Sequence, residues 1–474
     1  KNSSELKELV KLVNSKKGAG ENISLTGRSG GTDMSGGSLT ESIVVSFTKY
    51  MNHIKGVDAD HAIVEPGVFF RDLEKEMDKL GVMLPSYPGS KSICAIGGIV
   101  ANNSGGEKTL SYGKTEKYVE ELKIVLSDGE EYSIRPLSVS ELEQKKSRGD
   151  FEGEIYRRIY QLVLENEVSI KAAKPNVSKN SAGYYLWNVW DGQTFDLTKL
   201  IVGSQGTLGL ITEVKFRLVP RKKYSRLAVV FLKNLNPLTD IIEEVLKFNP
   251  ESFETYDDHT LKLAFRFLPD IVKSLKSNIF SLIIQFIPDF LLILRKGFPK
   301  LVLLVEITSD DEEELFSRLN KLGEALKKFP VGVHFTKSQA EAEKYFTVRR
   351  ESFNLLRQRV KNKHTAPFID DIIVRPEKLK EFLPRLNALL EPHRNLMEYT
   401  IAGHAGDGNF HIIPLMDLSD PAARDLIPKL ADQVYKLVFE FGGSITAEHN
   451  DGLIRTPYLK QMYGEKINSL FEEV

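Results

Sequence analysis

The chain has 474 residues, and its 64 basic and 65 acidic residues leave a formal net charge of −1. This balance gives no reason to expect binding to nucleic acid or to an anionic membrane surface. The single cysteine, Cys94, excludes an internal disulfide and an iron–sulfur cluster held by this chain's own thiolates. A chain of this length is expected to form two or three domains.

The first predicted elements are a helix at 2–17, a strand at 23–26, a glycine-rich segment at 27–38 and a strand at 42–47. A Rossmann fingerprint leads from a strand into a helix, whereas these glycines lead into β-branched residues, so a Rossmann site is excluded. Successive N–H groups with few Cβ atoms nearby can still form an anion-binding concavity. Further donors would come from Arg28, Ser29, Thr32 and Ser35. The alternative is a flexible surface loop.

Two further segments, 85–113 and 203–212, also alternate small and apolar residues. Their bare backbone would let the flat face of a ligand lie close while N–H and C=O groups point at its edge. Predicted strands at 121–126 and 210–216 would supply a rigid frame. Three such loops could wrap a long cofactor.

Near residue 224 the glycine-rich loops give way to predicted strands that are each followed by a helix. A strand at 227–232 precedes an amphipathic helix at 238–248, and a strand at 301–307 precedes a helix capped at 309–312. This order predicts a second layer with helices packed on one face of an antiparallel sheet. The most apolar segment, 279–294, is shorter than the ~20 residues needed to span a bilayer and is predicted as a buried core segment. The alternative is a surface that touches a membrane or docks a partner.

Two short histidine motifs lie near the C-terminal end, Gly-His-Ala-Gly-Asp-Gly-Asn-Phe-His at 403–411 and Ala-Glu-His-Asn-Asp-Gly at 447–452. The Gly-Asp-Gly turn could fold two strands back on each other, so that His404 and His411 meet. Imidazole and carboxylate ligands suit Zn or Mn. The alternative is a pair of histidines that are merely hydrogen-bonded at a strand turn.

The three glycine loops, in this order, resemble the FAD-binding domain of the flavoenzyme group that includes vanillyl-alcohol oxidase and para-cresol methylhydroxylase (PCMH-type). The histidine motifs resemble the FAD-linked D-2-hydroxyacid dehydrogenases, which include D-lactate dehydrogenases, D-2-hydroxyglutarate dehydrogenases and the glycolate oxidase flavin subunit. The resemblance covers essentially the whole chain and implies an α+β fold. It implies a PCMH-type FAD-binding domain at 1–222, an antiparallel-sheet α+β substrate-capping domain at 223–440, and a segment at 441–474 that returns to the flavin.

The resemblance also implies a set of FAD contacts. The pyrophosphate would lie on the first loop, at Ser29, Gly30, Gly31, Thr32, Asp33 and Ser35. The remaining contacts would be Pro88, Gly89, Gly97, Gly98, Ala101, Asn102, Ser104, Gly105, Gly206, Gly209 and Ile211. Several relatives attach the flavin covalently through a histidine where this chain has Thr32, so non-covalent FAD is expected.

The implied metal ligands are His404, His411 and Glu448, with His449 as the catalytic base. A divalent ion would lower the pKa of the substrate hydroxyl, the histidine would take its proton, and hydride would pass to flavin N5. Arg350 would bind the substrate carboxylate through its planar fork. For Arg350 and its neighbour Arg349, the alternative is a solvated helix charge.

Secondary substrate or flavin contacts are predicted at Asn180, Tyr184 and Asn409. Asn450 replaces the glycine that usually follows the Glu-His pair, and asparagine tolerates a positive φ better than most residues. Relatives that recognise a second carboxylate often carry a lysine near Ile369, and this chain has none there. Lys363 and His364 are nearby, so selectivity for a dicarboxylate stays open.

The sequence thus predicts an FAD-dependent D-2-hydroxyacid dehydrogenase, of D-lactate or D-2-hydroxyglutarate type. The alternatives are an oxidase that uses oxygen, a metal hydrolase, a non-catalytic flavoprotein or electron-transfer subunit, and the flavin or electron-transfer part of a longer iron–sulfur fusion. The electron acceptor would be a quinone, an electron-transfer flavoprotein, a cytochrome or an iron–sulfur partner. Both ends of the chain are expected to be truncated, and the predicted location is the cytoplasm, with peripheral membrane association as the alternative.

Overall fold

The structure, a computed structural model, describes residues 1–266, 297–359 and 362–474. The predicted core segment at 279–294 therefore lies outside the described residues. The chain forms two compact units. Unit 1 comprises Lys1–Pro175, Asn180–Arg221 and Glu448–Val474, and unit 2 comprises Asn176–Lys179 and Lys222–Ala447.

The part of unit 1 that precedes Glu448 opens with a helix at Ser3–Gly18, which confirms the helix predicted at 2–17. Asn2 caps this helix by accepting a hydrogen bond from the Glu5 N–H. The helices of this part are α1 (Ser3–Gly18), α2 (Phe70–Lys79), α3 (Ile96–Ala101), α4 (Thr109–Tyr112), α5 (Val139–Lys146), α6 (Phe151–Glu165), α7 (Glu167–Ala173) and α8 (Thr198–Ile201). Its strands are β1 (Leu25–Arg28), β2 (Ile43–Ser46), β3 (Ile54–Val57), β4 (His61–Val64), β5 (Val82–Met83), β6 (Val119–Val125), β7 (Glu131–Ile134), β8 (Leu137–Ser138), β9 (Thr194–Phe195), β10 (Leu210–Arg217) and β11 (Val219–Pro220).

The frame of unit 1 is an antiparallel sheet in the order β3-β4-β10-β6-β7. Val64, Leu122 and Val214 from adjacent strands are buried in the core of this unit. The first glycine segment connects β1 to β2, which pair in parallel, so the predicted strand–loop–strand order is confirmed. The second glycine segment contains α3 and α4, which the sequence pattern did not predict.

Unit 2 contains the predicted second layer. Its strands are β12 (Tyr224–Leu232), β13 (Ser252–Asp257), β14 (Leu301–Ser309), β15 (Val331–Phe335), β16 (His364–Thr365), β17 (Ile372–Ile373), β18 (Met397–Glu398), β19 (Ile401–His404), β20 (Asn409–Ile412) and β21 (Leu415–Met416). Its helices are α9 (Leu238–Leu246), α10 (Asp258–Arg266), α11 (Glu312–Leu326), α12 (Gln339–Arg359), α13 (Leu379–Leu390) and α14 (Pro421–Glu440).

The main sheet of unit 2 has the order β15-β12-β14-β13-β19-β20-β17 and is antiparallel, as the sequence predicted. Helix α11 begins at the predicted cap, where Asp311 accepts hydrogen bonds from the N–H groups of Glu313 and Glu314. Its Leu315, Leu319 and Leu322 are buried, as expected for a helix with one apolar face.

The last segment, Glu448–Val474, contains α15 (Gly452–Arg455) and α16 (Leu459–Glu473) and belongs to unit 1. Ile467, Leu470 and Phe471 of α16 are buried in the core of that unit. Within the described residues, no helix combines the length and the apolar character needed to cross a membrane.

Candidate active site

His404 and His411 lie on neighbouring strands of unit 2. Strands β19 and β20 pair antiparallel around the predicted Gly-Asp-Gly turn, and the two imidazole rings have centroids 5.3 Å apart. The predicted hairpin is therefore confirmed. Gly408 in the turn has a φ of +73°, and a Cβ added there would lie 2.0 Å from the carbonyl oxygen of Val374. Only glycine fits this position without displacing backbone.

Gly408→Ala is consequently expected to destabilise the protein by about 3 kcal/mol, from positive-φ strain plus the backbone clash. Gly442→Ala is the matched control, because Gly442 has a φ of +69° but a Cβ there would meet nothing within 4 Å. The control should cost only about 1–2 kcal/mol. Urea unfolding of the two variants measures the difference, and equal losses of stability would contradict the proposed clash.

A buried carboxylate holds the His404 ring. Nδ1 of His404 lies 2.6 Å from Oε1 of Glu254, and Nη2 of Arg349 lies 2.6 Å from the other oxygen, Oε2. Burial alone would raise the pKa of Glu254. The charge of Arg349, the hydrogen bond from the His404 ring and the charge of Lys179 outweigh burial and hold this pKa below its usual value.

His411 is held in a similar way. Its Nδ1 lies 3.3 Å from Oδ1 of Asp370, which is fully buried. The adjacent Asp371 has a φ of +67°, and its carboxylate accepts hydrogen bonds from Asn409 Nδ2 at 3.1 Å and Thr446 Oγ1 at 2.7 Å. The predicted contact Asn409 is therefore buried and engaged by Asp371. Hydrogen bonds at Nδ1 of both histidines fix the orientation of their rings.

A buried ion pair fixes the turn between the two histidines. Lys179 Nζ lies 3.0 Å from Oδ2 of Asp407, and both side chains are almost completely inaccessible to solvent. Ser178 Oγ also donates to the backbone oxygen of Asp407, at 3.4 Å. Such a pair is costly to break, because removing one partner leaves a buried charge. Sequence reasoning missed it because the two residues are far apart along the chain.

Glu448 and His449 stand at the point where the chain enters unit 1. The preceding residue, Ala447, belongs to unit 2 and donates its N–H to the backbone oxygen of Asp371 at 3.0 Å. Within unit 1, Asn102 Nδ2 donates to the backbone oxygen of Glu448 at 2.7 Å. A Cβ added at Gly105 would lie 2.8 Å from Thr109 Oγ1 and 3.3 Å from Oε1 of Glu448, so a side chain at this position would crowd both groups.

The residues after His449 are tightly constrained within unit 1. Asn450 has a φ of +65°, in agreement with the tolerance expected for asparagine, and its Nδ2 donates to the backbone oxygen of Gly203 at 2.7 Å. Asp451 Oδ2 accepts the N–H of Gly183 at 2.8 Å. These bonds tie the Glu-His segment to the third glycine loop and to the segment that follows Asn180.

Asp451 predicts a pH dependence of stability. Burial raises its pKa to about 7 from an ordinary value of 3.8. Because the folded state holds the proton more tightly, this contribution to stability is fully present below pH ~4 and is lost as the pH rises to ~7. Between pH 5 and pH 8 the free energy of unfolding should fall by roughly 2–3 kcal/mol through this group. Urea unfolding should show that Asp451→Asn removes this fall, and an unchanged pH slope would contradict the assignment.

The first glycine loop is ordered by its own polar groups. Ser29 Oγ donates to the backbone oxygen of Pro66 at 2.6 Å. Asp33 accepts hydrogen bonds from Ser35 Oγ at 2.7 Å and from the N–H of Gly37 at 2.7 Å. Ser35 is buried, whereas Asp33 is exposed. Two of the donors that the sequence suggested for an anion, Ser29 and Ser35, thus have partners within the protein, and their role toward FAD stays a prediction.

The glycines of the predicted FAD site fall into two groups. Gly97 and Gly209 are packed against protein, because an added Cβ would lie 2.7 Å from Pro66 or from Ile124. At Gly89, Gly98 and Gly206, an added Cβ would meet no protein atom closer than 3.8 Å. This second group leaves bare backbone beside open space, as expected for a surface that a flat cofactor approaches closely.

Other predicted FAD positions line the same loops. Gly31 has a φ of +66° and lies against the Arg28 guanidinium. Among the other residues predicted to contact FAD, four are half-buried: Thr32, Pro88, Ala101 and Asn102. Ser104 and Ile211 are buried. Gly30 packs against backbone atoms of Ile93 and Ala95.

The predicted substrate residues Asn180 and Tyr184 belong to unit 1. Asn180 Nδ2 donates to Tyr463 Oη at 3.1 Å and to the backbone oxygen of Ala182 at 3.1 Å. The Tyr184 hydroxyl lies 2.6 Å from Thr207 Oγ1 in the third glycine loop. Lys114 is a residue that sequence reasoning missed: it is buried, and its Nζ donates to the backbone oxygen of Asn180 at 2.7 Å.

Arg350 is in helix α12, but its side chain lies outside the described part of the structure. Its predicted contact with the substrate carboxylate therefore stays a prediction. Arg349, one residue earlier, pairs with Glu254 and is not the solvated helix charge considered from the sequence.

Known proteins match both parts of the chain. The family model described as FAD linked oxidases, C-terminal domain, matches residues 221–474, and the model described as FAD binding domain matches residues 1–135. The D-2-hydroxyglutarate dehydrogenase of Pseudomonas putida is 27% identical over 454 residues, which cover 94% of this chain and 43% of that protein. The D-lactate dehydrogenase of Archaeoglobus fulgidus is 25% identical over 469 residues, which cover 98% of this chain and 84% of that protein.

The crystal structure of p-cresol methylhydroxylase with substrate bound is similar in fold, with a TM-score of 0.66 at 14% identity, covering 100% of this chain and 84% of that chain. This likeness confirms the predicted PCMH-type α+β fold. The chain spans 43% of the length of the Pseudomonas relative, so it matches less than half of that protein. Because one family model covers more than half of the chain and a second covers its N-terminal part, the chain belongs to the FAD-linked oxidases and carries an FAD-binding domain.

Proposed function

We propose that the chain catalyses the FAD-dependent oxidation of a D-2-hydroxyacid to the corresponding 2-oxoacid. The observation that carries this proposal is the pair of imidazoles in unit 2, His404 and His411. Nδ1 of each ring is hydrogen-bonded to a buried carboxylate. The substrate class comes from the relatives, which are named as dehydrogenases of D-2-hydroxyglutarate and D-lactate. These names favour an α-hydroxyacid over a phenolic or ether substrate.

The three glycine loops fit FAD. The bare backbone at Gly89, Gly98 and Gly206 would accept the cofactor without displacing a side chain. When bound, FAD would supply N5 as the acceptor of the hydride, which carries both electrons of the oxidation. With Thr32 at the position where relatives carry a histidine, we expect FAD to be released intact when the protein is denatured.

The histidine pair fits a divalent ion such as Zn or Mn. An ionised carboxylate only accepts hydrogen bonds, so Nδ1 of each ring would carry the hydrogen and Nε2 would be the ligand atom. Glu448 would complete the set of His404 and His411 with a carboxylate oxygen. When bound, the ion would supply positive charge that favours the deprotonated form of the substrate hydroxyl.

The remaining roles fall to residues of this chain. His449 would take the hydroxyl proton, because an imidazole near neutral pKa is suited to accept it. Arg350 would orient the substrate carboxylate, with Asn180, Tyr184 and Asn409 as secondary contacts. The Asn450 bond to Gly203 holds the backbone next to the base, which favours a fixed position for His449.

The proposal is tested by mixing purified protein anaerobically with the D and L enantiomers of lactate and 2-hydroxyglutarate while the flavin absorbance is recorded. A D-hydroxyacid should bleach the flavin and its L enantiomer should not. Protein that holds FAD and a divalent ion but is bleached by no D-hydroxyacid would overturn the proposal.

The same reduced protein separates a dehydrogenase from an oxidase. Fast reoxidation by dissolved oxygen would favour an oxidase. Slow reoxidation by oxygen, with fast reoxidation by a quinone analogue or an iron–sulfur acceptor, would favour a dehydrogenase with a separate electron acceptor.

A further inference from the structure

We propose that Glu254 is a positioning residue which, together with Arg349, fixes both the orientation and the tautomer of the His404 ring. This role rests on the proposed function, since Nε2 of that ring is the atom proposed to bind the divalent ion.

The position of Glu254 in the sheet is unusual for a charged residue. It lies in β13, an interior strand of the main sheet of unit 2 in which all six residues are buried. Strand β13 pairs with β19 through Thr255 opposite Gly403 and Tyr256 opposite Ala402. Continuing this register sets Glu254 opposite His404. Burying a carboxylate is unfavourable unless it is paired and hydrogen-bonded.

The two oxygens of Glu254 have different partners. Arginine often binds a carboxylate through both oxygens, in a fork geometry. Here Nη2 of Arg349 lies 2.6 Å from Oε2, and Nδ1 of His404 lies 2.6 Å from Oε1. Arg349 therefore supplies the compensating charge and leaves one oxygen to the imidazole. Because that oxygen can only accept, it fixes the hydrogen on Nδ1 and the lone pair on Nε2.

Another buried glutamate of this chain shows what a purely structural pair looks like. Both oxygens of Glu152 are taken by cations, Oε1 by Lys145 and Oε2 by Arg148 Nη1 at 3.0 Å. The contact at His411 is also looser, with Nδ1 3.3 Å from Asp370. The short contact of Glu254 with a ring nitrogen thus distinguishes it from both comparisons.

The test uses full-length protein with Glu254→Gln, and Glu152→Gln as the matched control. A glutamine amide can donate as well as accept, so the variant no longer dictates the tautomer. Nitrogen-15 spectra of metal-free, histidine-labelled protein report the tautomer, with the His404 signals assigned by their loss in His404→Ala. Titration with Zn²⁺ or Mn²⁺ reports affinity, and the flavin absorbance reports retained FAD.

Wild-type protein should show His404 with the hydrogen on Nδ1, and Glu254→Gln should populate the other tautomer. The variant should also bind the ion about 10–100-fold more weakly while keeping FAD, whereas Glu152→Gln should match wild type in both respects. A wild-type hydrogen on Nε2 would overturn the proposal, even if Glu254→Gln failed to fold. An ion affinity of Glu254→Gln within twofold of the control would also overturn it. If wild-type protein bound no more ion than His404→Ala, the proposed metal site would be refuted. The tautomer of His404 in wild-type protein would still decide the role of Glu254.

Discussion

Replacing His449 with alanine is expected to slow reduction of the bound flavin by a D-2-hydroxyacid about 10²–10⁴-fold, the range that general bases contribute. The proton of the substrate hydroxyl would then have to leave to water. FAD should stay bound, because the glycine loops that would hold it do not depend on this side chain. Stopped-flow absorbance under anaerobic conditions measures the rate directly.

His53→Ala is the control for His449→Ala. His53 is an exposed histidine of unit 1 whose Nδ1 contacts Glu65 at 2.7 Å. Its loss should leave the reduction rate unchanged. A His449→Ala protein that is reduced as fast as wild type would remove His449 from the role of base.

Replacing His404 with alanine is expected to abolish both ion binding and flavin reduction. The substitution removes one of two imidazoles whose rings lie 5.3 Å apart, and it leaves the buried Glu254 without its ring contact. Loss of a ligand from a three-residue set should lower the affinity enough for the purified variant to contain no stoichiometric ion. Elemental analysis measures the ion content, and anaerobic reduction measures the activity.

His334→Ala is the matched control in unit 2, because His334 also has a ring nitrogen, Nε2, on a glutamate, at 2.8 Å from Glu341. It should retain the ion and the activity. Chelation of wild-type protein should reproduce the His404→Ala loss, and adding Zn²⁺ or Mn²⁺ should reverse it. Full activity in His404→Ala, or in ion-free wild type, would contradict the proposed role of the metal.

Local patterns in the sequence predicted the features that depend on local chemistry. The glycine-bracketed turn between His404 and His411 forms the expected hairpin, and Asn450 has the positive φ that its residue type tolerates. Strand and helix positions in unit 2 followed from apolar periodicity, with boundaries shifted by a few residues, as at α9, which ends at Leu246. Each of these features is determined by residues close together in the chain.

Contacts between distant residues could not be read in this way. Glu254 stands among serine, threonine and aspartate in β13, and nothing local indicates that its partner is His404, 150 residues away. Lys179 pairs with Asp407, which is still farther away along the chain. Lys179 lies in a segment of only four residues that belongs to unit 2 while its neighbours in the chain belong to unit 1. Long-range pairing of this kind depends on the order of strands in the sheet, which periodicity does not reveal.

The threading of the chain through its two units also constrains its biosynthesis. The chain of unit 2 is complete once Ala447 has been added, but unit 1 still lacks Glu448–Val474 at that time. Phe471 from this last segment fills the space beside Gly183, where an added Cβ would lie 2.5 Å from its ring. At roughly 5–20 residues per second, the N-terminal segment of unit 1 waits on the order of tens of seconds for the end of its own core. A nascent chain at that stage exposes apolar surface, which makes it a candidate client for ribosome-associated chaperones.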